Sequence, residues 1–411
     1  MATEDGPWLR PNSRLIWPHG LSREAANSPT KAIQGMRVCD NRTMAEQEIS
    51  SLAQLGARVA EAREAVGLTQ GALGEAIGLE RTMIAKIESG TRKVSATELV
   101  SIAQRLDRPL DWFVVESPQA IVSRRRSAEA TYDAIDGALE RLARDVELLF
   151  ERDLLRTERR PTFRPPVDID QAVALAASVR ALLDRPAGPL EDIQSASEAL
   201  GLLAFSIALG RQGGDAAYVE VGPAGVAIIN GSIDDGRRRF SLAHELGHHV
   251  TGDAYEGTDS GTEVERLIDA FAAHFLMPGP SLASIWSDLQ RERGTHLAAL
   301  AVAVRYRVSW SAAISQLRNL GLISHSMRDE LAAQEPTRGD HVELGEDWAP
   351  ELVAPSVPRG YGRQVVEAYR VGRLTESKAL ELLHGTLGEG ELPPPRPETE
   401  EELLEMLRPR R

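Results

Sequence analysis

The sequence of 411 residues holds a single cysteine, Cys39. That excludes an internal disulfide framework and any metal site built on a Cys-x-x-Cys pair, so a bound metal has to rest on His, Asp or Glu. Long apolar runs are missing as well. No stretch of about eighteen apolar residues occurs, and the opening MATEDGPWLR has neither the basic start nor the apolar core of a secretory signal. The expectation is a soluble, cytoplasmic protein without a membrane partner. Helical or strand periodicity is lacking over residues 1–48, where Pro, Asn, Ser and scattered charges follow one another. This segment is expected to be disordered, and Met36 or Met44 is an alternative natural start. A positive charge excess is absent too: 47 Lys and Arg stand against 61 Asp and Glu, a formal net charge of −14. This argues against nucleic-acid binding by the surface as a whole. It leaves room for one small neutral or basic module in a chain long enough for two or three domains.

What is present begins at Leu52. Apolar residues at helical spacing alternate with turn signals to Val114, predicting five short helices. Leu55, Val59 and the stem of Arg63 belong to the first, and Thr69 is a suitable cap for a second running to Ile77. Gly78 makes a tight turn into a further helix, with Leu79, Met83, Ile84 and Ile87 expected inside and Gly90 as its stop. Glu80, Arg81, Thr82, Ala85 and Lys86 are left outward. A helix, a glycine turn and a second helix with polar outer residues can place that second helix in a major groove. The same pattern also fits a plain helical bundle with solvated charges. GLTQGALGEAIGLERTMIAKIESG and the later LVSIAQRLD resemble the lambda-repressor and Cro-like helix-turn-helix family, often called the xenobiotic-response-element (XRE) family, over residues 52–114. The resemblance implies a double-stranded DNA operator as partner, with Gln70 on the phosphate backbone and Arg81, Thr82, Ala85 and Lys86 facing DNA. Charges in this module balance to about zero, which favours a homodimer on two half-sites over a monomer.

Residues 115–168 read as a helical linker. SRRRSAEATYDAIDGALERLARDVELLFERDLL forms one amphipathic helix, a spacer or dimerisation arm whose Arg124, Arg125 and Arg126 are either solvated or on phosphate. RRPTFRPPVD then supplies the break between domains. IDQAVALAASVRALL and PLEDIQSASEALGL continue as helices, and AAYVEV and GVAIING, joined through GPAG, predict a hairpin or a three-stranded sheet.

FSLAHELGHHVTGD follows directly. On a helix, His244 and His248 project from one face and reach a single ion, with Glu245 beside them. A zinc site of this kind needs a third protein ligand and an open position. In TEVERLIDAFAAHFLMPGP, Ile268, Phe271, Ala272 and Phe275 face a core, and the polar exceptions Glu265 and Asp269 lie one turn apart. Glu265 is placed to complete the ligand set ahead of Glu263, and Asp269 to accept the outer N–H of a ligand histidine. RRRFSLAHELGHHV with EVERLIDAFAAHFLMP resembles the ImmA/IrrE family of zinc metallo-endopeptidases over about residues 170–325. The resemblance implies Zn2+ held by His244, His248 and Glu265, with Glu245 as general base. Asp269 stands where that family more often has Asn. His249 and His274 read as bystanders.

HLAALAVAVRYRVSWSAAISQLRNLGLIS predicts two helices around a turn capped by Ser309, similar to the helix-turn-helix-like end of the same family. Residues 326–411 read as a helical extension with an acidic tail, to which no task is assigned. The expected architecture is therefore multidomain and mainly α. An N-terminal five-helix unit leads to an α+β zincin-like domain with a small sheet over 169–325, then a helical C-terminal part. The function expected is a DNA-binding regulator that cleaves a specific protein, a repressor or antitoxin or itself. The alternative is a transcription factor whose peptidase-like domain only senses a ligand or metal.

Overall fold

The computed structural model describes residues 41–106, 108, 110–114, 123–124, 135–211, 213–252, 261–345 and 349–396. Arg125 and Arg126 and most of the acidic tail lie outside them. The first unit is built from α1 (Asn41–Ala65), α2 (Gln70–Ile77), α3 (Arg81–Glu88), α4 (Ala96–Arg105) and α5 (Leu110–Val114). Helix α1 starts at Asn41, inside the segment expected to lack regular structure. Met44, Ala45, Glu46 and Gln47 are strong helix formers, and that local propensity extends the helix beyond its apolar stripe. The Thr69 side chain caps α2 by accepting the Ala72 N–H, and Gly78, at φ 73°, takes the left-handed conformation that turns the chain into α3. Val59, Leu73, Ile84, Ile87, Ile102 and Phe113 fill the core of this unit. Met83, expected inside, is 36 % exposed. Ile84 and Ile87, three apart, already complete the inner face of so short a helix.

The second unit contains β1 (Ser123–Arg124), α6 (Ile135–Glu151), α7 (Ile169–Leu182), α8 (Ile193–Glu198), β2 (Leu202–Ile207), β3 (Ala216–Val221) and β4 (Ala224–Asn230). It continues with α9 (Asp235–Thr251), α10 (Gly261–Leu276), α11 (Gly279–Tyr306, bent at Gly294), α12 (Trp310–Asn319), α13 (His325–Ala332) and α14 (Arg338–Leu344). Last come α15 (Arg359–Arg370) and α16 (Glu376–Leu382). Among the described residues the strands form one sheet in the order β1-β3-β4-β2. The expected antiparallel pair β3–β4 is present, and β2 adds a parallel neighbour to β4, pairing Leu202 with Gly225 through Ile207 with Asn230.

Period-2 alternation sends the strand residues to two different cores. Leu202, Ala204, Ala216, Tyr218, Ala227 and Ile229 point to one face, onto α7, α9 and α10. Leu203, Phe205, Ala217, Val219, Val226 and Ile228 point to the other, where they meet α6, α15 and α16. Two corrections follow. Helix α6, expected as a linker, buries Leu139, Leu142, Val146 and Leu149 against the sheet. The part after 325, expected as an extension, supplies Tyr361, Val365, Ala379 and Leu382 to the same core. A sheet with only one face covered would leave a row of large apolar side chains in water. These segments from both sides of the sequence cover it. Arg124, read as a solvated or phosphate-binding residue, pairs with Ala217 at the edge of the sheet.

Candidate metal centre and DNA-facing helix

On the first unit, Arg81, Thr82 and Lys86 of α3 are exposed and Ala85 is half-buried. The sequence-assigned residues thus share one outer surface of α3. Gln70 is differently placed: its amide donates to Glu88 Oε2 at 2.8 Å, and the nearly buried Arg63 donates Nε–H to Glu88 Oε1 at 2.6 Å. Glu88 therefore clasps α1, α2 and α3 together and fixes the Gln70 side chain. Any phosphate at Gln70 would meet an amide already oriented by the protein.

In the second unit, α9 carries His244, Glu245 and His248, all at most 3 % exposed. Leu242, Ala243, Leu246 and Val250 hold α9 on the sheet. Gly247 lets α10 approach: a Cβ there would meet the Ile268 and Phe271 side chains at 2.9 Å. This close packing delivers Glu265 and Asp269 to the histidines. Glu265 Oε2 is 3.0 Å from His244 Nε2, Glu265 Oε1 is 3.5 Å from His248 Nε2, and the two Nε2 atoms are 3.1 Å apart. Ligands at about 2.0–2.1 Å from a tetrahedral zinc are separated by roughly 3.3 Å along each edge. The three side chains match that triangle without rearrangement, and among the described residues they are the group of three or more His, Cys, Asp or Glu whose ligand atoms converge closely enough to hold a metal ion. Glu263, the competing acid, is exposed and bonded to Arg266.

The electrostatics of the cluster are set by its own histidine–carboxylate pairs. Burial opposes a carboxylate at Glu265, but the hydrogen bonds to His244 and His248 outweigh it and hold the acid well below its ordinary range. Burial likewise opposes protonation of His244. Its bonds to Asp269 and Glu265 prevail and raise its basicity. The Nδ1–H of His244 donates to Asp269 Oδ1 at 2.9 Å, which aims Nε2 at the centre. The side chains of Glu265 and Asp269 are 41 % and 45 % exposed, so the centre opens to solvent on the α10 side. His249 is turned away: it lies 2.9 Å from the Tyr218 hydroxyl and 3.1 Å from the Leu200 carbonyl. Burial lowers its pKa to about 4, so it is a neutral brace between α9 and the sheet.

Sequence reading missed the anchor at the start of α9. Arg239 is fully buried, donates to the Leu190 carbonyl at 2.8 Å and forms an ion pair with Glu351. Arg238 donates to the Glu351 carbonyl, and Asp235 accepts the Glu351 N–H, both at 2.8 Å. The RRRF run thus ties a segment more than a hundred residues later to the helix that carries His244 and His248. Nothing in local periodicity signals a partner that distant.

A helix-turn-helix unit and an HExxH helix completed by a downstream glutamate define a DNA-binding domain joined to a metallopeptidase-like domain. Comparison with known families agrees: residues 59–113 match the family described as Helix-turn-helix, and residues 197–318 match the IrrE N-terminal-like domain. The chain joins these two domains. The radiation response metalloprotease IrrE of Deinococcus radiodurans is 36 % identical over 102 residues, 22 % of this chain and 30 % of that protein. Uncharacterized HTH-type transcriptional regulators of Sinorhizobium medicae and Rhizobium meliloti are each 36 % identical over 64 residues, 16 % of this chain and 46 % of theirs. The chain thus spans less than half the length of each of these relatives. A solved complex of Bacillus thuringiensis PlcR with peptide and DNA aligns over 80 % of this chain and 91 % of its own, at 14 % identity and a TM-score of 0.17, a likeness too slight to carry fold or function. Among the described residues no single helix is long and apolar enough to cross a membrane.

Proposed function

We propose that the chain is a transcriptional regulator of the cytoplasm that binds operator DNA as a homodimer and cleaves a specific regulatory protein with a zinc-dependent endopeptidase domain. The observation that carries this reading is the convergence of His244, His248 and Glu265 with the buried Glu245 beside them on α9. His244, His248 and Glu265 would hold Zn2+, which when bound supplies Lewis acidity to the scissile carbonyl and acidifies water. Glu245 takes the proton from the attacking water and passes it to the leaving amine nitrogen. Asp269 keeps His244 in the tautomer that presents Nε2. On the DNA side, Arg81 and Thr82 at the start of α3 would reach base edges, with Ala85 and Lys86 following along the groove. The protein cleaved would be a repressor or antitoxin, or the chain itself.

The test compares the wild-type protein with Glu245→Gln, zinc content verified in both, for cleavage of itself and of repressor-like proteins encoded beside its gene. Loss of the product in the variant, with zinc and DNA binding intact, is the expected result. Absence of cleavage by both, with operator binding that responds to metal or a small molecule, would replace the peptidase by a sensor.

A further inference from the structure

A groove of about 1860 Å³ is lined by α15, the 349–358 segment and α8. Helix α15 buries Tyr361, Val365 and Ala368 in the core behind the sheet. Its opposite stripe, Arg359, Arg363, Val366 and Arg370, follows the spacing i, i+4, i+7, i+11 and forms one wall of the groove. Another wall carries Val353, Pro355 and Val357, and Val353 is 51 % exposed. Most acids of the groove are committed elsewhere. Glu198 accepts the Gly360 and Tyr361 N–H groups at the start of α15, Glu351 pairs with Arg239, and Glu367 pairs with Arg370. Glu158 and Glu191 have no ion pair among the described residues, and neither belongs to α15. On the α15 wall, Arg363 is exposed and has no acidic partner among the described residues. Arg359 meets Asp192 at 3.2 Å, yet its side chain is 77 % exposed. A basic stripe beside an apolar strip suits a segment that is itself acidic and then apolar.

The chain itself brings such a segment to the groove. Pro393 lines it, and Arg396 is tied to the last turn of α15, its N–H donating to the Arg370 carbonyl at 2.6 Å and its guanidinium lying 3.5 Å from Glu367. Beyond Arg396 the sequence reads PETEEELLEMLRPRR, residues 397–411. At 1.5 Å per residue, Arg363 and Arg359 stand about 10 and 16 Å back along α15 from Arg370. Residues 400–402, four to six positions after Arg396, reach about 13–20 Å when extended. That brings the run Glu400, Glu401, Glu402 level with Arg363 and Arg359, and Leu403 and Leu404 onto the segment that leads into the start of α15, where Val353 and Val357 lie.

We propose that the groove is the docking site of the chain's own acidic C-terminal segment, residues 397–411, with its glutamates on the α15 arginines and its leucines on the 353–357 strip. Glu351, in the segment that forms the apolar wall, holds Arg239 at the start of α9, so a seated tail also backs the anchor of that helix. The test follows removal of the tail from the full-length protein by chymotrypsin, read by mass spectrometry. Arg363→Glu and Val353→Asp, both at exposed positions, should each speed removal at least fivefold with thermal unfolding unchanged. The tail sequence is the same in all these proteins, so a difference in rate reports the groove. Arg363→Lys keeps the charge and should leave the rate at that of the wild type. Equal rates in the wild type and both groove variants would overturn the proposal, and so would a Lys variant as fast as the Glu variant. A wild-type rate that rises on dilution would place the tail of a second copy in the groove and overturn docking within one chain.

Discussion

Single side chains set the metal affinity and part of the acid response. Removing the Asp269 carboxylate frees His244 to rotate and to change tautomer, so Asp269→Ala should weaken zinc binding about 10–100-fold. Glu263→Ala should leave it unchanged, because that carboxylate is spent on Arg266. Competition against a chromophoric chelator measures both, and an equal loss in the two variants would mean that the ligand set is misassigned. In the first unit, Glu98 accepts from Arg92 and from the Ser95 N–H, which lowers its pKa to about 2. A depressed acid stabilises the fold above its unfolded value near 4.3, and this contribution is lost as pH falls through about 2. Glu98→Gln should therefore lower stability by roughly 1 kcal/mol at pH 7 and flatten the acid unfolding curve below pH 4.5, read by circular dichroism. That His244 and His248 meet was legible in the sequence because an i, i+4 spacing on a helix specifies a shared face without reference to the rest of the fold. The Arg239 anchor was not: it depends on Glu351, 112 residues away.

At the scale of elements, the site depends on how closely α10 lies on α9 and on what secures the start of α9. Gly247→Ala would push its methyl into Ile268 and Phe271. A loss of about 1–3 kcal/mol is expected, and zinc affinity should fall with it as α10 moves off. If affinity holds while stability drops, helix separation does not control the centre. Arg239 offers an asymmetric pair of substitutions. Glu351→Ala strands a fully buried guanidinium and should cost about 3–5 kcal/mol, whereas Arg239→Met removes the charge along with its need and should cost less. Urea titration of the two variants orders them. The strands show why part of the fold escaped the sequence reading. LLAFSI of β2 is apolar but for Ser206, because it is buried on both faces, and so gives no alternation to distinguish it from the helix before it. The amphipathic stripe of α6 identified a helix correctly but could not say that its apolar side meets a sheet rather than a second copy.

For the molecule as a whole, the core of α1–α5 shares no residue with the two cores around the sheet. Heating should then resolve two transitions, and adding EDTA to zinc-loaded protein should lower only the one that belongs to the second unit. Calorimetry with and without the chelator checks this; a shift of both transitions would show that the units unfold together. The family of each unit was legible because each carries its signature within a short span. The extent of the second was not, since α6, α15 and α16 lie outside that span and are recruited only by the apolar far face of the sheet. Because α15 and α16 close that face, a chain still emerging from the ribosome has its histidines and glutamates well before it has the layer that stabilises the strands beneath them. Helix α9 therefore cannot settle on a finished sheet until residue 382 is free, and a prematurely terminated message should yield a folded first unit whose His244, His248 and Glu265 fail to converge.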